Sequence, residues 1–174
     1  MTDAHAHLDA CDEPADVLVE RAQEAGVTRI VTIGTGVDSG RAALGIADRH
    51  AGVHAALGIH PHESASPEAR RLDELRELLS HPKAIAVGET GLDTVRQFAT
   101  LDEQRRLFEA HLELADELGL PVVIHNREAD EETAGALAGF PGTVILHCFS
   151  SPELLGTAVE RGYYVSFAGN ATYK

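Results

Sequence analysis

The sequence predicts an α/β fold with a parallel β-sheet, arranged as a TIM-type β/α barrel. Short and nearly continuously apolar segments, typical of strands buried on both faces, alternate with amphipathic helical stretches along the chain. No linker, repeat or low-complexity tract interrupts this alternation, so residues 1–174 are predicted to form a single domain. Polar residues recur where several of the strands end, which is the end at which barrels of this type assemble their sites.

Seven segments are predicted as strands from their apolar content: residues 3–7, 29–34, 53–59, 84–89, 121–125, 143–147 and 163–168. Four helices have clear start and stop signals, with Pro near the first turn or Gly after the last. They open at Pro14, Pro67, Leu101 and Pro152, and they end at Gly26, Leu79, Leu118 and Gly162. The first strand is not followed by the glycine-rich loop of a dinucleotide-binding fold, and this favours the barrel.

Composition and charge restrict the class of protein. Hydrophobic residues make up 44% of the 174 residues, as in a soluble globular protein, and no apolar run is long enough for a bilayer. The net charge of −14 argues against broad phosphate contacts with nucleic acid. Met1 leads into polar residues without the pattern of a signal peptide, which predicts a cytoplasmic location. Cys11 and Cys148 are predicted to be unpaired thiols.

Candidate metal ligands stand where predicted strands end. His5 and His7 are two residues apart, so an extended strand would direct both imidazoles to one face and toward one ion. Glu89, His125 and His147 each end a later apolar strand. A carboxylate has two oxygens, so Glu89 between histidines predicts two ions about 3.5–4 Å apart, as in two-metal hydrolases. A salt bridge from Glu89 to an arginine inside the barrel is the structural alternative.

Other polar residues are candidates for substrate contact. His60 and His62, on either side of Pro61, could donate hydrogen bonds to phosphate, or they could shape the loop around that proline. Arg127 follows a predicted strand and is either an anchor for an anionic oxygen or a solvated loop charge. Four further histidines show no comparable placement: His50, His54, His81 and His111. Of these, His50, His81 and His111 are predicted to lie at helix surfaces or ends.

Taken together, six segments resemble the TatD family of metal-dependent deoxyribonucleases, which are amidohydrolase-type barrels. They occur in the family's order and span the chain: residues 3–9, 58–62, 87–93, 124–129, 147–150 and 166–174. The resemblance implies two divalent metal ions (Mg, Mn or Zn) and hydrolysis of phosphodiester bonds in DNA, a transiently bound substrate. It also implies that His5 and His7 bind one ion, that Glu89 bridges and serves catalysis, and that His125 and His147 bind the other.

The sequence departs from the family pattern at two places. After Gly91-Leu92-Asp93 the family usually has aromatic residues, whereas this chain has Thr94-Val95-Arg96-Gln97-Phe98. Relatives also continue for several tens of residues to a Glu-Thr-Asp segment, whose aspartate binds metal and orients the attacking water. We therefore expect a barrel truncated at the C-terminus, with about seven of its eight strands and open edges that invite self-association.

The missing aspartate of the Glu-Thr-Asp segment affects the expected metal binding and activity. With one ligand fewer on the side of His5 and His7, metal should bind more tightly at Glu89, His125 and His147, and nuclease activity should be impaired. Two alternatives stay open at this point. One is a related metal-dependent barrel hydrolase that cuts an ester or amide, such as an aminoacyl-tRNA deacylase. The other is a metal-binding remnant without catalysis.

Overall fold

Seven parallel strands form a single sheet in the computed structural model, which describes residues 1–172. Tyr173 and Lys174, the end of the family-like segment 166–174, lie outside the described residues. The strands are β1 (Thr2–Ala6), β2 (Arg29–Gly34), β3 (Val53–Leu57), β4 (Ala84–Asp93), β5 (Val122–Arg127), β6 (Val144–Leu146) and β7 (Tyr164–Val165). The α-helices are α1 (Ala15–Glu24), α2 (Val37–Arg49), α3 (Leu72–Leu79), α4 (Leu101–Leu118), α5 (Asp130–Leu137) and α6 (Pro152–Arg161). Short 3₁₀ turns cover Pro61–Glu63, Pro67–Arg70 and Gly169–Thr172.

Each strand pairs in parallel with the next one in the chain, from β1 to β7. The sheet is strongly curled. His5 on β1 stacks on His147, just after β6, with ring centroids 3.5 Å apart, although four strands lie between β1 and β6 in the sheet. A parallel sheet in chain order that curls in this way is the β/α barrel architecture, so the predicted fold class is confirmed.

Two apolar layers hold the sheet. Between the strands and the helices lies the larger one, which includes Leu57, Phe108 and Ile124, all completely buried. Ala56, adjacent to Leu57 on β3, belongs to a second cluster with Ile33 and others on the opposite, inner face of the sheet. Side chains alternate across a strand, so β3 contributes to both layers and reads as a continuous apolar run.

Several element boundaries differ from the sequence-based expectation. α2 and α5 were not predicted, because Gly40 and Gly45 interrupt α2, and neither helix has a side-chain cap. The single helix expected up to Leu79 is a 3₁₀ turn followed by α3, which begins at Leu72. β4 continues to Asp93, four residues beyond its predicted end, whereas β6 ends before His147 and β7 is only two residues long.

The end of the described chain is exposed. Tyr164 on β7 is 65% exposed and the following Phe167 is 70% exposed. Residues 166–168 and the first residues of β1 line an open cleft of about 510 Å³ between the two edge strands. No helix in the described part of the chain is long and apolar enough to cross a membrane. Cys11 and Cys148 are both free thiols, as predicted.

Candidate metal centre

A single buried carboxylate lies at the centre of the histidine cluster. Glu89 on β4 is 2% exposed. Its Oε1 lies 2.8 Å from His125 Nδ1 and 3.4 Å from His147 Nε2. Its Oε2 lies 3.2 Å from His5 Nε2 and 3.7 Å from His7 Nε2. One carboxylate thus faces four imidazoles from three other parts of the sheet, and the five residues that the sequence named as metal ligands converge.

Two glycines allow β4 to bring Glu89 this close to β5. Gly88 has φ +141°, and a Cβ there would lie 2.5 Å from the carbonyl oxygen of Val123. Gly91 has φ +135°, and a Cβ there would lie 2.1 Å from the carbonyl oxygen of His125. The pairing of β4 with β5 shifts register between Val87 and Thr90, which is the stretch that contains Glu89. The glycines therefore serve the close approach of two backbones beside the site.

Burial and proximity fix the charge state of the cluster. Burial alone would raise the pKa of Glu89, but the imidazoles of His125, His5 and His60 hold that pKa well below its usual range. Burial lowers the pKa of His147 to about 4, and it also lowers the pKa values of His7 and His60. The site therefore holds an ionised carboxylate, with neutral imidazoles at His7, His60 and His147, and these are protonation states that bind metal.

His60 and His62 lie on the other side of His125. The His60 ring centroid is 4.7 Å from that of His125, and His60 Nε2 lies 3.7 Å from Glu89 Oε1. His60 Nδ1 accepts a hydrogen bond from the backbone N–H of His62, so the proton of the neutral ring sits on Nε2. The two roles considered for His60, shaping the loop around Pro61 and donating a hydrogen bond to phosphate, are therefore compatible with each other. Nδ1 shapes the loop, while Nε2 faces the cavity.

Asp93 is a site residue that sequence reasoning missed. Its side chain is completely buried, and its Oδ2 lies 2.8 Å from His62 Nε2 and 3.4 Å from His125 Nε2. Burial would raise the pKa of Asp93, but hydrogen bonds, chiefly from the backbone N–H of Arg96 and from His62, hold it at about 2. Asp93 lies four residues after Glu89 on the same long strand, and an even spacing on a strand places two side chains on one face. This spacing is the signal that could have identified Asp93.

His111 is a second missed residue, and the prediction that it lies at a helix surface is wrong. It is completely buried on the sheet-facing side of α4, next to Phe108 and Leu112. His111 Nε2 accepts a hydrogen bond from the backbone N–H of Ile59 at 3.0 Å, and Nδ1 donates to the carbonyl oxygen of Leu107 at 2.7 Å. It thereby fixes the segment that leads into His60. His111 follows Phe108 by three residues, and this helical spacing could have placed it on the apolar face of α4.

Nitrogen and oxygen ligand atoms form two compact groups: His5, Glu89 and His147, and His60, His62 and His125. The atoms of each group lie within 4.8 Å of one another. The sequence paired His125 with His147, whereas here His147 lies with His5 and His125 with the Pro61 loop. His5 Nε2 and His7 Nε2 approach to 3.3 Å, and the buried His5 Nδ1 has no hydrogen-bond partner among residues 1–172. Closely spaced imidazoles around a carboxylate, one with a buried nitrogen that no described residue contacts by a hydrogen bond, fit a bound divalent cation.

The histidines open into a cavity of about 590 Å³ whose other lining residues are mostly acidic or small: Thr35, Gly36, Asp38, Ser39, Glu63 and Glu68. Within the described chain, no lysine or arginine lines it. Arg127, the candidate anion anchor, is the last residue of β5 and is exposed outside this cavity. A negatively charged ligand in this cavity would meet positive charge only if a cation were bound there.

Known proteins are similar to this chain in sequence and in fold. Residues 2–174 match the family described as TatD related DNase. The chain is 40% identical to a Mycobacterium tuberculosis protein named uncharacterized metal-dependent hydrolase TatD, over all of this chain and 70% of that protein. It is 36% identical to the Shigella flexneri 3'-5' ssDNA/RNA exonuclease TatD, over 88% of this chain and 61% of that protein, less than two thirds of its length.

Solved structures agree with this assignment. The crystal structure of YJJV, a TatD homologue from Escherichia coli, superposes with a TM-score of 0.92 and 30% identity, over 99% of this chain and 70% of that one. A guanine deaminase from C. acetobutylicum, 14% identical with a TM-score of 0.61, shares the fold alone. The family match over nearly the whole length and the 40% identical relative establish that the chain belongs to the family of TatD-related, metal-dependent hydrolases.

Proposed function

We propose that this protein hydrolyses phosphodiester bonds of nucleic acid, with single-stranded DNA as its substrate and with two divalent ions. The observation that carries the proposal is the contact of buried Glu89 with the imidazoles of His5, His7, His125 and His147, beside a cavity that no lysine or arginine of the described chain lines. The name of the Shigella relative, a 3'-5' ssDNA/RNA exonuclease, supports a nucleic-acid substrate. The single-domain organisation and the cytoplasmic location stay predictions, as does self-association through β1 and β7.

In this proposal the ligands are those named from the sequence: His5, His7, Glu89, His125 and His147. Divalent ions, when bound there, would neutralise charge on the phosphoryl group and lower the pKa of the attacking water. Glu89 offers one oxygen to each side of the cluster, since Oε1 faces His125 and His147 while Oε2 faces His5 and His7. Tighter metal binding on the side of His125 stays a prediction.

The Pro61 loop supplies the hydrogen-bond donor for the substrate. His60 carries its proton on Nε2, the nitrogen that faces the cavity, so it can donate to a phosphate oxygen. His62 lines the same cavity, and Asp93 holds it in place through the 2.8 Å contact with its Nε2. A donor fixed in this way loses little entropy when substrate arrives. Contact of Arg127 with an anionic oxygen of the substrate also stays a prediction.

The test is a comparison of two carboxylate-to-amide variants. Purified protein is loaded with Mg²⁺, Mn²⁺ or Zn²⁺ and incubated with end-labelled single-stranded DNA and, separately, with an aminoacyl-tRNA ester. We expect nucleotide release from DNA, and a fall of at least about 100-fold in Glu89→Gln, because loss of a direct ligand should exceed the 10- to 100-fold effect of outer-shell partners. Glu109→Gln on the exposed face of α4 is the matched control and should be unchanged.

The outcomes separate the functions that the sequence left open. Hydrolysis of the tRNA ester without release of nucleotides would assign the site to the ester-cutting alternative. Metal binding without turnover of either substrate would indicate a non-catalytic protein. Either result would overturn the proposed phosphodiesterase.

A further inference from the structure

An exposed aromatic ring stands at the edge of the metal centre. Phe98 lies between β4 and α4 and is 62% exposed. Its ring centroid is 5.0 Å from that of His62, with 57° between the ring planes. His62 lines the cavity of the metal centre, so one face of this contact belongs to the site and the other is open to solvent. The exposed face of the ring is therefore accessible to a ligand beside the metal centre.

A second cavity begins at Phe98. It has a volume of about 450 Å³ and lies beside the metal centre, with Asp93, Gln97 and Phe98 among its lining residues. Asp93 lies between the two cavities, because it lines this one and contacts His62, which lines the other. The His62 ring therefore lies between Phe98 and the cavity of the metal centre.

The segment that carries Phe98 is held in place. Asp93 Oδ1 accepts hydrogen bonds from the backbone N–H groups of Val95 and Arg96, at 2.9 and 2.8 Å. The backbone N–H of Phe98 donates to the carbonyl oxygen of Arg96 at 3.0 Å. At its end, the side chain of Gln104 donates to the carbonyl oxygen of Ala99 at 3.2 Å. The ring is thus presented by a fixed turn, and a ligand would not have to order it.

Charge decides which ligand group this subsite accepts. The chain carries a net charge of −14, and the second cavity is lined by two acidic residues, Asp93 and Glu103, with no basic residue from the described chain among its lining. A second phosphate is therefore disfavoured there. A nucleobase is uncharged and flat, and bases stack on aromatic side chains without requiring a particular sequence. Only an unpaired base offers a free face.

We propose that Phe98 is a stacking platform for an unpaired nucleobase next to the phosphate held at the metal centre. This inference rests on the proposed function and deepens it, because it assigns part of the affinity to base stacking beside two cavities that no lysine or arginine of the described chain lines. It also gives the exposed aromatic residue of the atypical segment 94–98 a role.

Binding of two nuclease-resistant oligomers tests the proposal. The probes are fluorescein-labelled phosphorothioate oligothymidylate and an abasic oligomer of the same length, followed by anisotropy with Mn²⁺-loaded protein. We expect Phe98→Ala to weaken binding of oligothymidylate about tenfold and to leave the abasic oligomer unchanged. Phe98→Tyr should stay within about twofold of the wild type, since it keeps the ring. Leu155→Ala, an exposed apolar side chain on α6, is the control and should change neither.

The other outcomes distinguish a failure of the stacking platform from a failure of the proposed function. If Phe98→Ala weakens both oligomers equally, or weakens neither, while the wild type binds and cleaves DNA, the stacking platform is wrong and the proposed function stands. If the wild type neither binds oligothymidylate nor cleaves DNA with any metal tested, the proposed function fails and the platform fails with it. The melting temperature of Phe98→Ala should equal that of the wild type, because the ring is exposed.

Discussion

Replacing His111 by leucine should destabilise the fold at neutral pH, and acid should remove the difference. Leucine fills a similar volume in the apolar layer, so the main loss is the acceptor of the Ile59 N–H at 3.0 Å. A buried donor without a partner costs about 1–3 kcal/mol. The carbonyl oxygen of Leu107 keeps its partner within the helix. We therefore expect His111→Leu to lower the free energy of unfolding by about 2 kcal/mol at pH 7.5.

The pH dependence follows from the same buried imidazole. Burial lowers the pKa of His111 to about 4 from 6.5. Between these values the unfolded chain binds a proton at this position and the folded protein does not, so the stability of the wild type falls as the pH falls. Each pH unit in that window is worth about 1.4 kcal/mol, which amounts to about 2 kcal/mol by pH 5. The leucine variant lacks this loss, so the two proteins should be equally stable near pH 5.

Urea denaturation followed by circular dichroism, with chelator present, measures both free energies at pH 7.5, 6 and 5. Glu109→Gln, on the exposed face of α4, is the control and should differ from the wild type by less than about 0.5 kcal/mol throughout. A difference between the wild type and His111→Leu that stays constant from pH 7.5 to pH 5 would contradict the reasoning. So would a variant that is more stable than the wild type at pH 7.5.

Two further predictions concern the site itself. Asp93→Asn keeps an oxygen that accepts from the Val95 and Arg96 N–H groups, but it presents an amide N–H to His62. Steady-state kinetics should therefore show a kcat/KM about tenfold lower than that of the wild type, with little change in melting temperature. Mn²⁺ or Zn²⁺ at 100 times its Kd should stabilise the protein by about 2.7 kcal/mol, which calorimetry would record as a rise in Tm of several degrees. Glu89→Gln should abolish that rise, and an unchanged rise would remove Glu89 from the ligand set.

The strands and their order could be predicted because each buried strand is a short apolar run, and hydrophobic periodicity is a local property. The helices that escaped prediction lack local signals. α2 contains Gly40 and Gly45 and begins after Gly36, so its stability comes from packing on β2 and β3 rather than from propensity. β4 was predicted to end too early for a related reason, since Gly88 and Gly91 weaken a strand unless another backbone passes close by.

Convergence of the five proposed ligands could be predicted because the ends of parallel strands meet at one edge. Their grouping could not, since the stacking of His5 on His147 depends on how far the sheet curls. Asp93 was missed because its role depends on a contact with His62, 31 residues away in the chain. His111 was misplaced because a histidine on an apolar helix face is polar in sequence and buried only in the assembled fold.

α4 is common to both residues that sequence reasoning overlooked, because it contains His111 and its Gln104 holds Asp93. Gln104 pairs with the backbone N–H and carbonyl of Asp93 at the end of β4, and His111 pairs with the segment after β3. These two anchors are seven residues apart, about two helical turns, and so they project from the same side of α4. One residue inserted between them would rotate one anchor by about 100° against the other, and only one attachment could survive. The number of residues between Gln104 and His111 therefore sets the distance between the end of β4 and the segment after β3, which carry the site residues. Substitutions on the solvent-facing side of α4 do not change this distance.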